Sequence, residues 1–217
     1  EGASSALSAL ASVEQIPKAV LDAFHGVSAE AATTGFYGGD KDRHEGRGYV
    51  GGFVFNDSGT YEPHLWRWMQ KKLNASSILD VGCGLGISTD FFLREGMQPT
   101  CLEGSREALE GQLGWSPRLK EERPSGYEEF TLGPPVFAST DFFDVAWSAE
   151  FLEHIEEKYL VNVMRAFQQA HLVYVTHALP GVGGHHHVNI QDDADWISKF
   201  AGYGFEHAET MRNASKK

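Results

Sequence analysis

The sequence predicts an α/β fold with a doubly wound, mainly parallel sheet. Short apolar runs alternate with amphipathic segments, a glycine-rich turn follows the first of these runs, and an acidic residue ends the next one. The chain has 217 residues, 41% of them hydrophobic, which is enough for one domain with a sizeable core. We expect an N-terminal segment of helices and a lid over residues 1–61, followed by a ligand-binding domain over residues 62–217.

The N-terminal segment has two parts. Residues 3–24 place apolar side chains at helical spacing, and Pro17 is expected to divide them into two short helices. Residues 26–60 are rich in Gly, Asp and aromatics and are longer than an ordinary connection. Their aromatic side chains, Tyr37 among them, either cover a ligand site or pack against the N-terminal helices.

The expected elements of the second part alternate along the chain. The run SILDV has the continuous apolar character of a buried strand. The predicted strands cover residues 77–81, 99–103, 127–130, 143–147, 171–177 and 205–209. The predicted helices cover residues 62–73, 87–94, 106–113, 157–169 and 193–201.

The composition restricts the partners. The formal charge of −12 repels phosphate backbones, so no nucleic-acid partner is expected. No apolar run approaches the roughly 18 residues of a membrane span, so no membrane partner is expected. Cys83 and Cys101 lack metal-type spacing and are interpreted as reduced thiols, which favours a cytoplasmic location. The chain begins with Glu1, which indicates a processed or excised form, and the oligomeric state stays open.

The most specific feature is the turn LDVGCGLG at residues 79–86, between a strand and a helix. Glycines permit a tight turn and a close approach of backbone to a ligand, and the helix start offers unpaired N–H groups. The spacing is G-x-G-x-G rather than the G-x-G-x-x-G of dinucleotide enzymes. Asp80 would be poorly placed against a pyrophosphate but suits a ligand with an ammonium and a sulfonium. Glu103 ends the next strand, where an acidic side chain is placed to accept hydrogen bonds from ribose hydroxyls. The alternative for the glycines is a plain tight turn without a ligand, and the alternative for Glu103 is a solvated strand end.

Three motifs in order resemble the class I S-adenosylmethionine-dependent methyltransferases. They are DVGCGLG at 80–86, FDVAWSAEFLEHI at 143–155 with its Leu-Glu-His element, and AGYGFE at 201–206. The resemblance covers roughly residues 62–210 and implies a Rossmann-like methyltransferase fold. The third strand departs from the family pattern, because its sequence has only a weak strand pattern. The chain also ends soon after the sixth strand, so the seventh strand is missing or truncated.

The resemblance also implies a cofactor, S-adenosyl-L-methionine, and the residues that hold it. Gly82, Gly84 and Gly86 would line its methionine part, and Asp80 would support its amino group. Glu103 would accept from the ribose hydroxyls.

Two further acids complete the implied cofactor site. Glu129, or else Glu128, would meet the adenine amino group. Glu150 follows the fourth strand at the edge of the cofactor pocket.

Histidines cluster at the carboxyl ends of the predicted strands, on the ligand side of the sheet. Methyl transfer to oxygen or nitrogen needs alignment and the loss of a proton, and histidine is the natural base. The candidate catalytic residues are His154, His177 and His186. The candidate acceptor-binding residues are His185, His187, Asn189 and Tyr37.

These histidines have other interpretations. His154 either acts in catalysis or only pins its loop. The triplet is an acceptor-binding loop, a merely polar loop, or a metal site in which His185 and His187 share an ion with a third ligand such as His177. We predict no metal.

These observations predict a methyltransferase that acts on a hydroxyl of a small molecule or glycan. A protein methyltransferase and a non-catalytic partner protein with the same fold are the alternatives. A nicotinamide-dependent oxidoreductase is disfavoured by the glycine spacing.

Overall fold

A computed structural model describes residues 60–103, 142–184 and 187–209 in full, and the backbone of three short strands within 36–37, 53–54 and 127–129. The strands form two sheets. Strands β1 (Phe36–Tyr37) and β2 (Phe53–Val54) make an antiparallel pair. The main sheet consists of β3 (Ser77–Val81), β4 (Gln98–Glu103), β5 (Tyr127–Glu129), β6 (Phe143–Ser148) and β7 (Ala170–Val175).

The main sheet is parallel, with the strand order β5-β4-β3-β6-β7. The chain builds outward from β3 in one direction and then crosses to β6 on its other side. The carboxyl ends of β3 and β6 therefore flank the point where the winding reverses, which is where ligands bind in open α/β sheets. This topology confirms the predicted fold class.

Four α-helices are described. They are α1 (Pro63–Lys72), α2 (Ile87–Arg94), α3 (Leu160–Phe167) and α4 (Asp193–Gly202). Pro63 stands in the first turn of α1, where its missing N–H is not needed.

The helices cover both faces of the sheet. Because side chains alternate along a strand, Ile78 packs on one face with Trp66 and Phe92 of α1 and α2. Leu79 packs on the other face with α3 and with Trp196 of α4. Each face is thus a separate buried cluster, and the strands between them read as nearly continuous apolar runs.

The amino end of the sheet is held by one carboxylate. Asp144 Oδ2 accepts from the Ser76 N–H (2.7 Å), the Ser76 hydroxyl (2.9 Å) and the Ser77 N–H (2.9 Å). The Asp144 N–H donates to the Ser77 hydroxyl at 2.9 Å. Slight burial raises the pKa of Asp144, but these hydrogen bonds outweigh it and hold the pKa below its usual value. They fix the start of β6 against the start of β3.

Several sequence predictions need correction. The predicted strand 205–209 is wrong, because residues 205–208 have no regular structure. Phe205 instead folds back on α4, where its N–H donates to the Phe200 carbonyl at 3.1 Å and the two rings lie 5.3 Å apart. The predicted helix 157–169 begins as a 3-10 turn, Glu157–Tyr159, before α3. Strand β7 ends at Val175, so His177 lies in the loop beyond it.

The cysteine prediction is also wrong. Cys83 and Cys101 form a disulfide, with their Cα atoms 5.7 Å apart. The glycine turn brings Cys83 beside β4, which explains the contact between residues 18 apart in sequence. The cytoplasmic location loses its cysteine argument and stays a prediction. No helix among the described residues has the length and apolar character to cross a bilayer.

Other predictions lie outside the described residues. They concern the helices within 3–24, most of the lid 26–60 and the helix 106–113. The division at residue 61 stays a prediction.

Candidate active site

The glycine loop between β3 and α2 has a left-handed backbone at three places. The φ angles are 72° at Gly82, 52° at Gly84 and 73° at Gly86. Gly82 is further constrained, because a Cβ there would overlap the ring of Phe151. The Gly82 N–H donates to the Leu102 carbonyl at 2.8 Å. The loop therefore needs glycine for its turn and for its contact with the segment after β6.

Asp80 lies under this loop near the end of β3 and is 2% exposed. Its Oδ2 accepts from the hydroxyls of Ser88 (2.6 Å) and Thr89 (2.5 Å) in the first turn of α2. Burial raises the pKa of Asp80 to about 6, the two hydroxyls oppose this rise, and the charge of Glu103 adds to it. Asp80 thus fixes the start of α2, a role that the sequence alone did not indicate.

Glu103 ends β4 beside the glycine loop and is 7% exposed. Its Oε2 accepts from the Gly84 N–H at 2.7 Å, so the carboxylate and the loop backbone meet at one point. In the next strand, Glu129 occupies the register position beside Glu103. The backbone thus brings the two predicted cofactor acids to the same edge of the sheet. The side chains of Glu128 and Glu129 lie outside the described residues.

The charge of this corner discriminates between ligands. Asp80 and Glu103 are both buried acids, close enough for the charge of one to raise the pKa of the other. A ligand that carries an ammonium and a sulfonium would relieve this repulsion, whereas a pyrophosphate would increase it. The glycine loop and its two acids therefore fit S-adenosylmethionine and disfavour a dinucleotide.

A second polar group lies past the carboxyl end of β6. Glu150 follows the strand with a φ of 48°, in the left-handed region that non-glycine residues rarely adopt. Its N–H donates to the carbonyl and the hydroxyl of Thr176, both at 3.2 Å. Such strain concentrates at functional sites, where surrounding contacts maintain it.

Glu153 is the centre of this group and is fully buried. Its Oε1 accepts from the Ala178 N–H at 2.9 Å. Its carbonyl accepts from the N–H groups of Val188 (2.9 Å) and Asn189 (3.0 Å). Burial raises the pKa of Glu153 to about 7 and the charge of Glu150 adds to the rise, against hydrogen bonds that lower it. One residue thus joins the segment after β6 to both ends of the loop after β7.

His154 and His187 meet beside Glu153. Their ring centroids are 4.9 Å apart at an interplanar angle of 78°. One potential metal-ligand atom from each of Glu153, His154 and His187 lies within 4.8 Å of the other two. A Cβ at Gly184 would overlap the imidazole of His187, so glycine at 184 lets the chain pass directly against that ring.

The predicted acceptor-binding residue Asn189 and the predicted catalytic residue His177 have different surroundings. Asn189 is 5% exposed, and its Oδ1 accepts from Gln191 Nε2 at 2.9 Å. His177 packs against Trp196 and pairs through Nε2 with Asp193 at 3.2 Å. It is therefore not part of the Glu153 group.

The side chains of the remaining predicted site residues lie outside the described residues. His185 and His186 lie outside the described residues, and Tyr37 is described only as backbone paired with Phe53.

The role of Glu153 was not predicted from the sequence. Glu153 lies within the Leu-Glu-His element, but the pattern gives no sign that its carboxylate is buried. The role of Phe151 was not predicted either, because its contact with Gly82 is visible only in three dimensions.

The fold and site define a doubly wound α/β domain whose glycine loop and two buried acids fit a cationic nucleoside-type ligand. Residues 79–174 match the family described as "Methyltransferase domain". This match, over less than half of the chain, supports the resemblance to the class I S-adenosylmethionine-dependent methyltransferases, and S-adenosylmethionine is the cofactor of that class.

Among curated proteins, the chain is similar to a ubiquinone biosynthesis O-methyltransferase of Serratia proteamaculans (strain 568). The identity is 35% over 97 residues, which cover 45% of this chain and 38% of the relative. The matched region thus spans little more than a third of that protein.

Solved structures also show likeness to the chain. The methyltransferase domain of bacterial CtHen1-C is 21% identical with a TM-score of 0.49, over 67% of this chain and 87% of that one. The magnesium protoporphyrin IX methyltransferase of Synechocystis PCC 6803, solved with bound SAH, is 13% identical with a TM-score of 0.49, over 65% and 70%.

Proposed function

We propose that the protein transfers a methyl group from S-adenosylmethionine to a hydroxyl of a small molecule or glycan. The observation that carries this proposal is the pairing of two polar groups at one edge of the sheet. The glycine loop with Asp80 and Glu103 follows β3 and β4, and the group around Glu153 follows β6. The contact between Gly82 and Phe151 joins the two groups.

The chemistry requires little covalent work from the protein. When bound, the cofactor would supply a methyl group on a sulfonium, whose sulfur is a neutral leaving group that keeps the electron pair of the carbon–sulfur bond. The chain must align the acceptor with that methyl group and receive the hydroxyl proton. Glu103 and the loop N–H groups would hold the nucleoside side, and Asp80 would keep the loop and α2 in place.

The acceptor side is assigned to the group around Glu153. His154 and His187 lie together there, and an imidazole nitrogen is able to take the proton of an acceptor hydroxyl. Asn189 Nδ2 is buried with no hydrogen-bond partner among the described residues, so it is a donor for an acceptor hydroxyl. Within this proposal, His185, His186 and Tyr37 complete the acceptor site. His177 orients α4 through Asp193 rather than acting on the acceptor.

The first test is calorimetric binding of S-adenosylhomocysteine to the wild type and to Glu103→Ala, with NADH as a control ligand. Loss of the carboxylate removes charge-assisted hydrogen bonds worth about 1.5–3 kcal/mol, so affinity should fall roughly ten- to a hundredfold. The matched control is Glu157→Ala, which removes an exposed glutamate paired with Lys199 and should bind normally. No binding by a folded wild type would overturn the cofactor assignment and favour a non-catalytic partner protein.

The acceptor class needs a separate screen. Transfer of labelled methyl to sugars and small hydroxylated metabolites should exceed transfer to peptides and proteins. Labelling of protein substrates alone, by an enzyme that binds S-adenosylhomocysteine, would replace the hydroxyl proposal with a protein methyltransferase.

A further inference from the structure

We propose that Glu153, His154 and His187 form a binding site for a divalent transition-metal ion, and that the ion holds the acceptor hydroxyl. The second clause rests on the proposed function, whereas the binding site does not. The sequence predicted no metal, and the alternative interpretation placed an ion on His185 and His187 with a third ligand such as His177. The geometry points to a different set, in which only His187 is shared.

The first support is the spacing of the donors. The three ligand atoms lie within 4.8 Å of one another. Imidazole nitrogen and carboxylate oxygen bind such ions at about 2.0–2.2 Å, so donors on opposite sides of one ion are about 4.2 Å apart. Small side-chain movements therefore bring all three donors to a common centre. Two imidazoles and one carboxylate suit zinc, cobalt, iron and manganese, and they leave positions open for another oxygen.

The second support is the state of the donor atoms. Glu153 Oε2 and His187 Nδ1 are buried, and neither has a hydrogen-bond partner among the described residues. A buried carboxylate oxygen without a partner is costly, and a bound cation would remove this cost. Glu150 adds a second negative charge near Glu153, so the local charge also favours a divalent cation.

The third support is the way the surroundings fix these groups. Ala178 donates to Glu153 Oε1, which holds the carboxylate and leaves Oε2 for the ion. The carbonyl of Glu153 holds the backbone of Val188 and Asn189, directly after His187. The close passage of Gly184 restricts the His187 ring from the other side. Groups that orient a ligand in this way are typical of metal sites.

The ion would lower the pKa of the acceptor hydroxyl and position its oxygen for the methyl group. The proton would then pass to solvent, and His154 and His187 would serve as ligands instead of bases. This is the main chemical difference from catalysis by a histidine base.

The test uses the full chain without an affinity tag, stripped with EDTA and titrated with Co²⁺ and then Zn²⁺. We expect one ion per chain. The Glu153→Gln and His187→Ala variants should weaken binding at least tenfold, since loss even of a group that orients a ligand costs roughly ten- to a hundredfold. The matched control is His171→Ala, at the amino end of β7, where the ring stacks on Phe142 at 5.3 Å. Binding should also persist in the double variant His185→Ala, His186→Ala.

X-ray absorption of the Zn²⁺-loaded wild type tests the ligand set without any variant. We expect two imidazole nitrogens and oxygen atoms at about 2.0–2.2 Å from the metal. A metal with oxygen neighbours only, or with three imidazoles, would overturn the proposal. So would the absence of binding, or equal binding by the wild type and both ligand variants.

Binding of S-adenosylhomocysteine to the stripped protein separates the two proposals. If the stripped protein binds it and transfers methyl at full rate, the metal role fails while the methyltransferase stands. If Co²⁺ binds as expected but S-adenosylhomocysteine does not, the cofactor assignment fails while the metal site stands.

Discussion

The acids at the two ends of the parallel sheet have pKa values shifted in opposite directions. At the amino end, Asp144 accepts three hydrogen bonds through one oxygen, and its pKa lies below the usual value. At the carboxyl end, burial raises the pKa of Asp80 to about 6 and that of Glu153 to about 7. Glu153 also has an oxygen without a hydrogen-bond partner among the described residues.

The difference separates stability from function. An acid whose charge is fully satisfied by its neighbours stabilises the fold and has nothing left for a ligand. An acid whose charge is buried destabilises the fold slightly, and a bound cation, ammonium or hydroxyl relieves that cost. Perturbed acids at the carboxyl ends of parallel strands are therefore evidence of a site, whereas Asp144 is evidence of a structural contact.

The strongest way to disturb the carboxyl end is Gly82→Ala. The left-handed φ costs about 1–2 kcal/mol for a residue with a Cβ, and overlap with the Phe151 ring adds about 1–3 kcal/mol. We expect the free energy of unfolding to fall by about 3 kcal/mol or more, with binding of S-adenosylhomocysteine lost. Urea denaturation and calorimetry measure the two effects.

Gly96→Ala is the control for this variant. Gly96 has a φ of 82°, and a Cβ there would meet nothing within 4 Å. It should show only the backbone cost and bind the ligand normally. Equal losses in the two variants would mean that the Phe151 contact carries no energy.

Asp144→Ala tests the amino end and should show the reverse pattern. It removes a carboxylate that receives three hydrogen bonds, so the free energy of unfolding should fall by about 2–3 kcal/mol. Ligand affinity should stay within about twofold, because the site lies at the other end of the sheet.

The pH dependence of the free energy of unfolding is a second test of the role of Asp144. Because the folded-state pKa is lowered, the stabilisation is full above the unfolded pKa of about 3.9 and is lost as the pH falls through the folded value. The difference between wild type and variant should therefore shrink in acid. A difference that is constant from pH 7 to pH 3 would contradict the assigned cause.

Asp80→Asn should raise the free energy of unfolding, whereas Asp144→Ala lowers it. A rise in pKa from 3.8 to about 6 corresponds to roughly 3 kcal/mol at most, and the unmatched amide N–H groups reduce the gain. We expect a gain in unfolding free energy of about 1–2 kcal/mol at pH 8, together with weaker ligand binding.

The sign of this effect also depends on pH. The folded-state pKa is raised, so the ionised wild type carries its full penalty above about pH 6 and loses it as the pH falls towards 3.9. Denaturation of both proteins at pH 8 and pH 4 checks this. A variant that is less stable than the wild type at pH 8 would show that the bonds from Ser88 and Thr89 outweigh the burial of the charge.

The sequence predicted the parts of the site that are built from residues within one strand–turn–helix unit and the strand that follows it. The glycine loop, Asp80 and Glu103 follow one another along the chain and share the signature of a strand–turn–helix unit, so their positions were predictable. The role of Glu153 was not, because it depends on the contacts of residues 178, 188 and 189 with a turn more than 20 positions earlier. The strand predicted at 205–209 failed for a related reason, since Phe205 gains more by packing on Phe200 than its local pattern indicates.

Asp192→Ala is expected to cause the smallest change in the free energy of unfolding. It tests whether an acid on the carboxyl side of the sheet is structural when its hydrogen bond is already made. Asp192 caps α4, and its Oδ1 accepts from the Asp195 N–H at 2.8 Å. Although it follows β7, at the carboxyl side of the sheet, its hydrogen bond is complete. It should therefore behave like Asp144, with a loss of about 1 kcal/mol in the free energy of unfolding and unchanged ligand affinity. A loss of binding with unchanged stability would show that location in the sheet matters more than whether an acid is already satisfied.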